Sequence, residues 1–219
     1  MQPSQVINSD DILLKLCRSV AQVLSTTTAS EISHAGMVQR INQTRLRPDL
    51  GCFSIFDGGF SGLVVINFSA DAAMEIYRRY LLSMGMPEDE LAIKYTSDEV
   101  ANVMGELMNQ MLGHFINLVS KELQTSISQS QPKMLTINRE ITLSINANLD
   151  EPITRRVSFR TENNNIFYLE FAMDNTDFIG LAAVEADDDL DPDDILAMHS
   201  AGASHSGEVT EDLFDKLGI

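Results

Sequence analysis

The stretch GELMNQMLGHF, residues 105 to 115, sets Glu106 and Asn109 three positions apart in an otherwise apolar run. On a helix, residues three apart are neighbours on one face. An anionic acceptor then sits beside a carboxamide that both donates and accepts hydrogen bonds. The pattern E-x-x-N occurs three times, at Glu99/Asn102, Glu106/Asn109 and Glu162/Asn165. Only the middle pair is followed by a proline after 22 intervening residues: the step from Asn109 reaches Pro132, whereas the other two reach Thr125 and Asp188. The four histidines, His34, His114, His199 and His205, are scattered without ligand spacing to a Cys or Asp. No Ser–His–Asp or Cys–His set competes with the Glu–Asn pair, and no metal site is expected.

The element that must position this pair is a long helix over roughly Ser97 to Leu123. At 100° per residue, Glu99, Asn102, Glu106, Asn109, Gln110, Gly113 and Asn117 fall on one arc. Val100, Met104, Leu107, Met108, Met111, Phe115 and Val119 fall on the opposite one. The spacing therefore predicts that the pair faces outward from a helix whose back is buried. A wet face belongs to every amphipathic helix, so this placement alone does not assign chemistry.

Around that helix the chain reads as α+β. Ile12, Leu13, Leu16, Val20, Val23 and Leu24 follow helical spacing after Ser9, a candidate cap. GCFSIF and GLVVINF are β-rich runs joined through Asp57, Gly58 and Gly59, which predicts a hairpin. Ser69 is placed to cap a second helix ended by Gly85 and Pro87. After Pro132, MLTINREITLSINA, TRRVSFRT and IFYLEFA read as three strands of an antiparallel sheet, the last two joined by a turn at Asn163–Asn165. Helices packed on one antiparallel sheet, with one long central helix carrying the site, is the predicted architecture.

Composition limits the function classes. The net charge of −17 excludes the basic stripe that nucleic-acid binding requires. No apolar run approaches the ~20 residues of a membrane span, and the N-terminus lacks the features of a signal peptide. Cys17 and Cys52 lie in apolar surroundings and read as reduced core thiols of a cytoplasmic protein. The charge is uneven: the last 35 residues carry −10 and the first 184 carry −7. This divides the chain into a body over 1–184, an acidic linker over 185–208 and a terminal segment over 209–219. The aspartates of the linker lack the Gly and Glu that a calcium loop needs at its sixth and twelfth positions.

The array E-x2-N-x22-P on a long helix resembles the CheC/CheX/FliY family of chemotaxis phosphatases. The surrounding order does too: a hairpin, then FSADAAMEIYRRYLLSMGMPEDE, then SDEVANVMGELMNQMLGHF, then strands. The likeness covers roughly residues 10 to 172, and a single array on a single long helix is closer to CheX than to two-site CheC. The resemblance implies hydrolysis of the aspartyl phosphate of a CheY-like response regulator in two-component signalling. Asn109 would orient the attacking water, Glu106 would pair with the receiver's active-site lysine, and Asn102 and Pro132 would support them. The family has Asp or Ser where this chain has Asn102. The resemblance also implies a homodimer and no cofactor of the chain's own, Mg²⁺ being held by the receiver. The terminal EDLFDKLGI resembles the CheY-docking peptide of CheZ, which makes Asp212, Leu213, Phe214, Asp215, Leu217 and Ile219 candidate partner contacts. A non-catalytic scaffold that grips a receiver or the flagellar switch is the alternative reading, and the receiver need not be a chemotactic one.

Overall fold

The computed structural model describes residues 6–137, 139–142 and 152–179. These lie within one compact unit, Gln5–Ile179. The acidic linker 185–208 and the candidate docking segment 209–219 lie outside the described residues. In chain order the elements are β1 (Val6–Asn8), α1 (Ser9–Thr28), β2 (Ser33–His34), β3 (Gln39–Arg40), β4 (Arg45–Leu46), β5 (Leu50–Gly58) and β6 (Gly62–Phe68). There follow α2 (Ala70–Ser83), a 3₁₀ turn (Glu88–Glu90), α3 (Asp98–Leu123), β7 (Ile127–Gln129), β8 (Lys133–Thr136), β9 (Ile141–Thr142), β10 (Ile153–Arg160), β11 (Ile166–Met173) and β12 (Asp177–Ile179).

The main sheet is antiparallel, in the order β2-β10-β11-β6-β5-β7, with β3 also paired to β10 and β8 also paired to β5. The predicted hairpin is β5–β6. The turn falls at 59–61, later than the expected 57–59, because Asp57 and Gly58 pair with β7 as the end of β5; the φ of +149° at Gly58 suits only glycine, and a Cβ there would stand 2.1 Å from the Ser126 carbonyl oxygen. The second predicted hairpin is β10–β11, closed by Asn164 in the left-handed region at φ 62°.

The helices begin where side chains satisfy their free N–H groups. Ser97 Oγ accepts from Val100 N at the start of α3, and Ser69 Oγ accepts from Ala72 N at the start of α2. For α1 the expected cap shifts by one residue. Asn8 Oδ1 accepts from Asp11 N at 2.9 Å while Asp11 Oδ2 accepts from Asn8 N at 3.0 Å, a reciprocal capping box. Ser9 is instead buried, its hydroxyl directed at the carbonyls of Asp174 and Thr176.

The core lies between the helices and one face of the sheet. Leu16, Val20, Ile76, Tyr77, Met104, Leu107, Met108 and Phe115 meet Cys52, Phe56, Ile66, Phe159, Phe167 and Phe171. Full burial of such side chains contributes about 1.5–3 kcal/mol each. The other face of the sheet carries a smaller cluster, Leu46, Leu63, Val65 and Ile137. Both cysteines are free and buried, as their surroundings predict. Burial pushes the Cys17 thiol from 9.0 up to about 12 and raises that of Cys52. The long strand expected over 134–147 is broken: β8 pairs with β5, whereas β9 pairs with β4 in a separate two-stranded sheet. No described helix is long and apolar enough to cross a membrane.

Candidate functional site on the long helix

Helix α3 divides as its spacing predicts. Val100, Met104, Leu107, Met108, Met111, Phe115 and Val119 are all buried, while Asn102 and Glu106 are exposed and Asn109 is half-buried. Gln110 Nε2 donates to Glu106 Oε1 at 3.0 Å, an i,i+4 contact that steadies the carboxylate along the helix. Gln129 Nε2 donates to Asn109 Oδ1 at 3.4 Å, a long bond that fixes the amide only loosely. Gln129 Oε1 is buried without a hydrogen-bond partner among the described residues.

Pro132 reaches this face through the sheet. The strands on either side of it, β7 and β8, both pair with β5, so the link between them passes beside α3. Pro132 is buried there, and with no N–H of its own it leaves no donor unsatisfied. Asn102, Gly105, Glu106, Asn109, Pro132 and Lys133 line a single open cleft of about 370 Å³. Four residues singled out in the sequence, Asn102, Glu106, Asn109 and Pro132, therefore share one surface. Ala101, Gln131 and Met134 complete the lining, and Lys133 and Gln131 carry no sequence signal of their own. Lys133 is exposed and forms no ion pair among the described residues.

The two glycines beside the pair differ. A Cβ on Gly105 would meet Met134 Cγ at 3.4 Å, an ordinary van der Waals contact, so the packing of β8 on the helix does not depend on glycine there. Gly113 is exposed, and a Cβ there would meet nothing within 4 Å.

In the other two E-x-x-N copies, Glu99, Glu162 and Asn165 are committed to structure, and only Asn102 reaches the cleft. Tyr77 Oη donates to Glu99 Oε1 and accepts from Ala92 N at 2.8 Å, which ties the connection before α3 to α2. Burial, then the Glu99 carboxylate, raises the Tyr77 hydroxyl above its usual value. Glu162 pairs with Arg79 at 3.0 Å, and Asn165 Nδ2 donates to Glu75 Oε2 at 2.7 Å, clamping the β10–β11 turn onto α2. Among the described residues no group of three or more His, Cys, Asp or Glu is arranged to hold a metal ion.

A family model described as "Protein of unknown function (DUF3334)" matches residues 3–219. The chain belongs to the DUF3334 family. No curated protein matches the sequence. Among solved structures, this DUF3334 chain shares its fold with chemotaxis proteins. A CheX from Desulfovibrio desulfuricans superposes with a TM-score of 0.60 at 17% identity, over 75% of this chain and 99% of that one. A CheC-like superfamily protein from Shewanella sp. PV-4 gives 0.60 at 19% identity, over 77% and 99%. The CheX–CheY–BeF3–Mg²⁺ complex from Borrelia burgdorferi gives 0.56 at 14% identity, over 75% and 98%. At these identities the likeness is one of fold: an α+β, CheX/CheC-like arrangement of helices on an antiparallel sheet.

Proposed function

We propose that this chain is a protein phosphatase that hydrolyses the aspartyl phosphate of a CheY-like receiver domain. The observation that carries the reading is the meeting of Glu106, Asn109 and Pro132 in one open cleft, although 22 residues separate the last two. The fold shared with CheX supports it. That the Borrelia CheX is found in a complex with CheY supports a receiver as the partner class.

An acyl phosphate is already reactive and the receiver brings its own Mg²⁺, so the phosphatase needs no nucleophile of its own. Its task is to hold one water in line with phosphorus. The Asn109 amide suits this because it donates and accepts without adding charge beside a phosphoryl group. With Oδ1 restrained by Gln129, Nδ2 and the remaining Oδ1 lone pair are left for the water. Glu106, one turn back and exposed, pairs with the receiver's active-site lysine and sets the approach of the helix. Asn102 and Pro132 shape the two sides of the cleft. The terminal segment, through Asp212, Leu213, Phe214, Asp215, Leu217 and Ile219, tethers the receiver and raises its local concentration. The working form is a homodimer.

The test is release of inorganic phosphate from a phosphorylated receiver. Asn109→Ala lowers the rate about a hundredfold, close to 2.7 kcal/mol of transition-state stabilisation. The loose contact to Gln129 means that the fold survives this change. The second reading, a non-catalytic receiver-binding scaffold, is favoured by Asn102 standing where the CheX-type motif has Asp or Ser. Saturable receiver binding with no acceleration by the wild type would select it.

A further inference from the structure

The link that carries Pro132 past α3 is pinned to β5 at a single residue. Ser130 N donates to the Ile55 carbonyl at 2.7 Å, Ile55 N donates to Ser130 Oγ at 3.0 Å, and Ser54 Oγ donates to the Ser130 carbonyl at 2.8 Å. These bonds prolong the ladder between β5 and β7, in which Gln129 stands opposite Phe56. The backbone on both sides of Gln129 is therefore fixed.

Register also fixes the direction of its side chain. Phe56 belongs to the helix-side core and Ile127 packs against that core, so alternation turns Gln129 to the same face. Gln129 is accordingly half-buried, between the exposed Ser128 and Ser130. On that face it meets Asn109, with Nε2 donating to Oδ1 at 3.4 Å. Its own Oε1 is buried without a hydrogen-bond partner among the described residues. For packing alone this is a costly choice, because a buried acceptor is left empty where leucine would continue the apolar face of Ile127. The use of the polar group is found in Asn109.

A carboxamide has nearly the same shape either way round, so packing does not decide which end of Asn109 faces the cleft. Gln129 does decide it. Turning Asn109 over by itself would set Nδ2 against Nε2, a donor against a donor, so the two amides can turn only together.

We infer that Gln129 is a positioning residue for Asn109: its amide, presented by the pinned end of β7, sets the orientation in which the Asn109 amide meets the attacking water. The inference rests on the phosphatase reading and adds to it a residue that no motif spacing marks. Gln129 acts through Asn109 and not on the phosphoryl group. A bond of 3.4 Å selects an orientation without clamping it, so the effect is smaller than that of removing Asn109 itself.

The experiment follows phosphate release from a CheY-type receiver phosphorylated with acetyl phosphate, using the full-length chain. Gln129→Leu is expected to lower kcat about tenfold and to leave KM for the receiver within about twofold. Its melting temperature is not reduced, because the empty buried carbonyl is gone. Gln129→Met, with an unbranched stem, is expected to behave in the same way. In the Asn109→Ala background Gln129→Leu causes no further loss of rate, since nothing remains to be oriented. In a ¹⁵N–¹H spectrum the Asn109 side-chain NH₂ signals, identified by their absence in Asn109→Ala, are expected to move in Gln129→Leu. An unchanged kcat in both Gln129 variants, a full further loss in the Asn109→Ala background, or unmoved NH₂ signals would each overturn the role of Gln129 and leave the phosphatase reading in place. A wild type that does not accelerate phosphate release overturns that reading itself, and the role of Gln129 with it.

Discussion

Replacing Glu170 by glutamine tests how the outer face of the sheet is held. Glu170 has no solvent exposure and receives three N–H bonds of 2.7–2.9 Å, two of them from Arg156. Glutamine keeps the shape but offers one oxygen and one NH₂ group, so a donor now faces a donor and Arg156 loses its counter-charge. Removing one partner of a buried ion pair costs about 3–5 kcal/mol. The side chains of Arg156 and Arg47 retain 18% and 33% exposure and can recover some hydration, which places the loss near the lower end, about 3 kcal/mol. For a protein of this size that corresponds to a drop of about 6–12 °C in Tm. The chain has no tryptophan, so urea unfolding followed by far-UV circular dichroism is the suitable assay. The midpoint should fall with the slope m unchanged. The double change Glu170→Leu with Arg156→Met should cost only about 1–2 kcal/mol, because it leaves the Arg45 backbone N–H without its acceptor while Arg47 keeps its other carboxylate, Glu140. A single-variant loss below about 1 kcal/mol, or a double variant less stable than the single one, would refute this account of the network.

Two further outcomes are expected. Deleting residues 209–219 should raise the receiver concentration needed for half-maximal phosphate release and leave the rate at saturation largely intact; unchanged affinity and apparent KM would remove the docking role. For pH, burial holds the Cys17 thiol protonated to about 12 against an ordinary value of 9.0. Its folded value is the higher one, so its contribution to stability is complete below pH 9.0 and is lost as the pH climbs toward about 12. The stability difference between wild type and Cys17→Ala, measured by urea unfolding, should therefore shift against the wild type across that interval. Taking the difference removes the common contribution of Tyr77, whose raised hydroxyl titrates in the same alkaline region. A difference that stays constant with pH would count against the assignment.

Much of the helix architecture is legible because its causes are local. The 3.6-residue period of the apolar positions in α3, the caps at Ser69 and Ser97, and the left-handed Asn164 in the β10–β11 turn act over a few neighbours. Spacing read along the chain therefore translates directly into conformation. The same holds for Glu106 and Asn109, which share a face by helix geometry alone. The two-residue strands β2, β3, β4 and β9 are different. They are too short for alternation to register, and they exist because longer strands or β-edge partners supply their hydrogen bonds. For the same reason the continuous strand expected over 134–147 divides between two partners.

By itself the sequence determined the helices, the two hairpins, the outward-facing carboxylate and amide, and the proline at fixed distance from them. Only the tertiary structure decided that Pro132 and Lys133 border that pair, because pairing of β7 and β8 to β5 folds the chain back past α3. It alone gathered Arg45, Arg47 and Arg156 around the buried Glu170, across more than a hundred residues of chain. Local rules act between neighbours in sequence. Strand register and the satisfaction of one buried carboxylate act between neighbours in space.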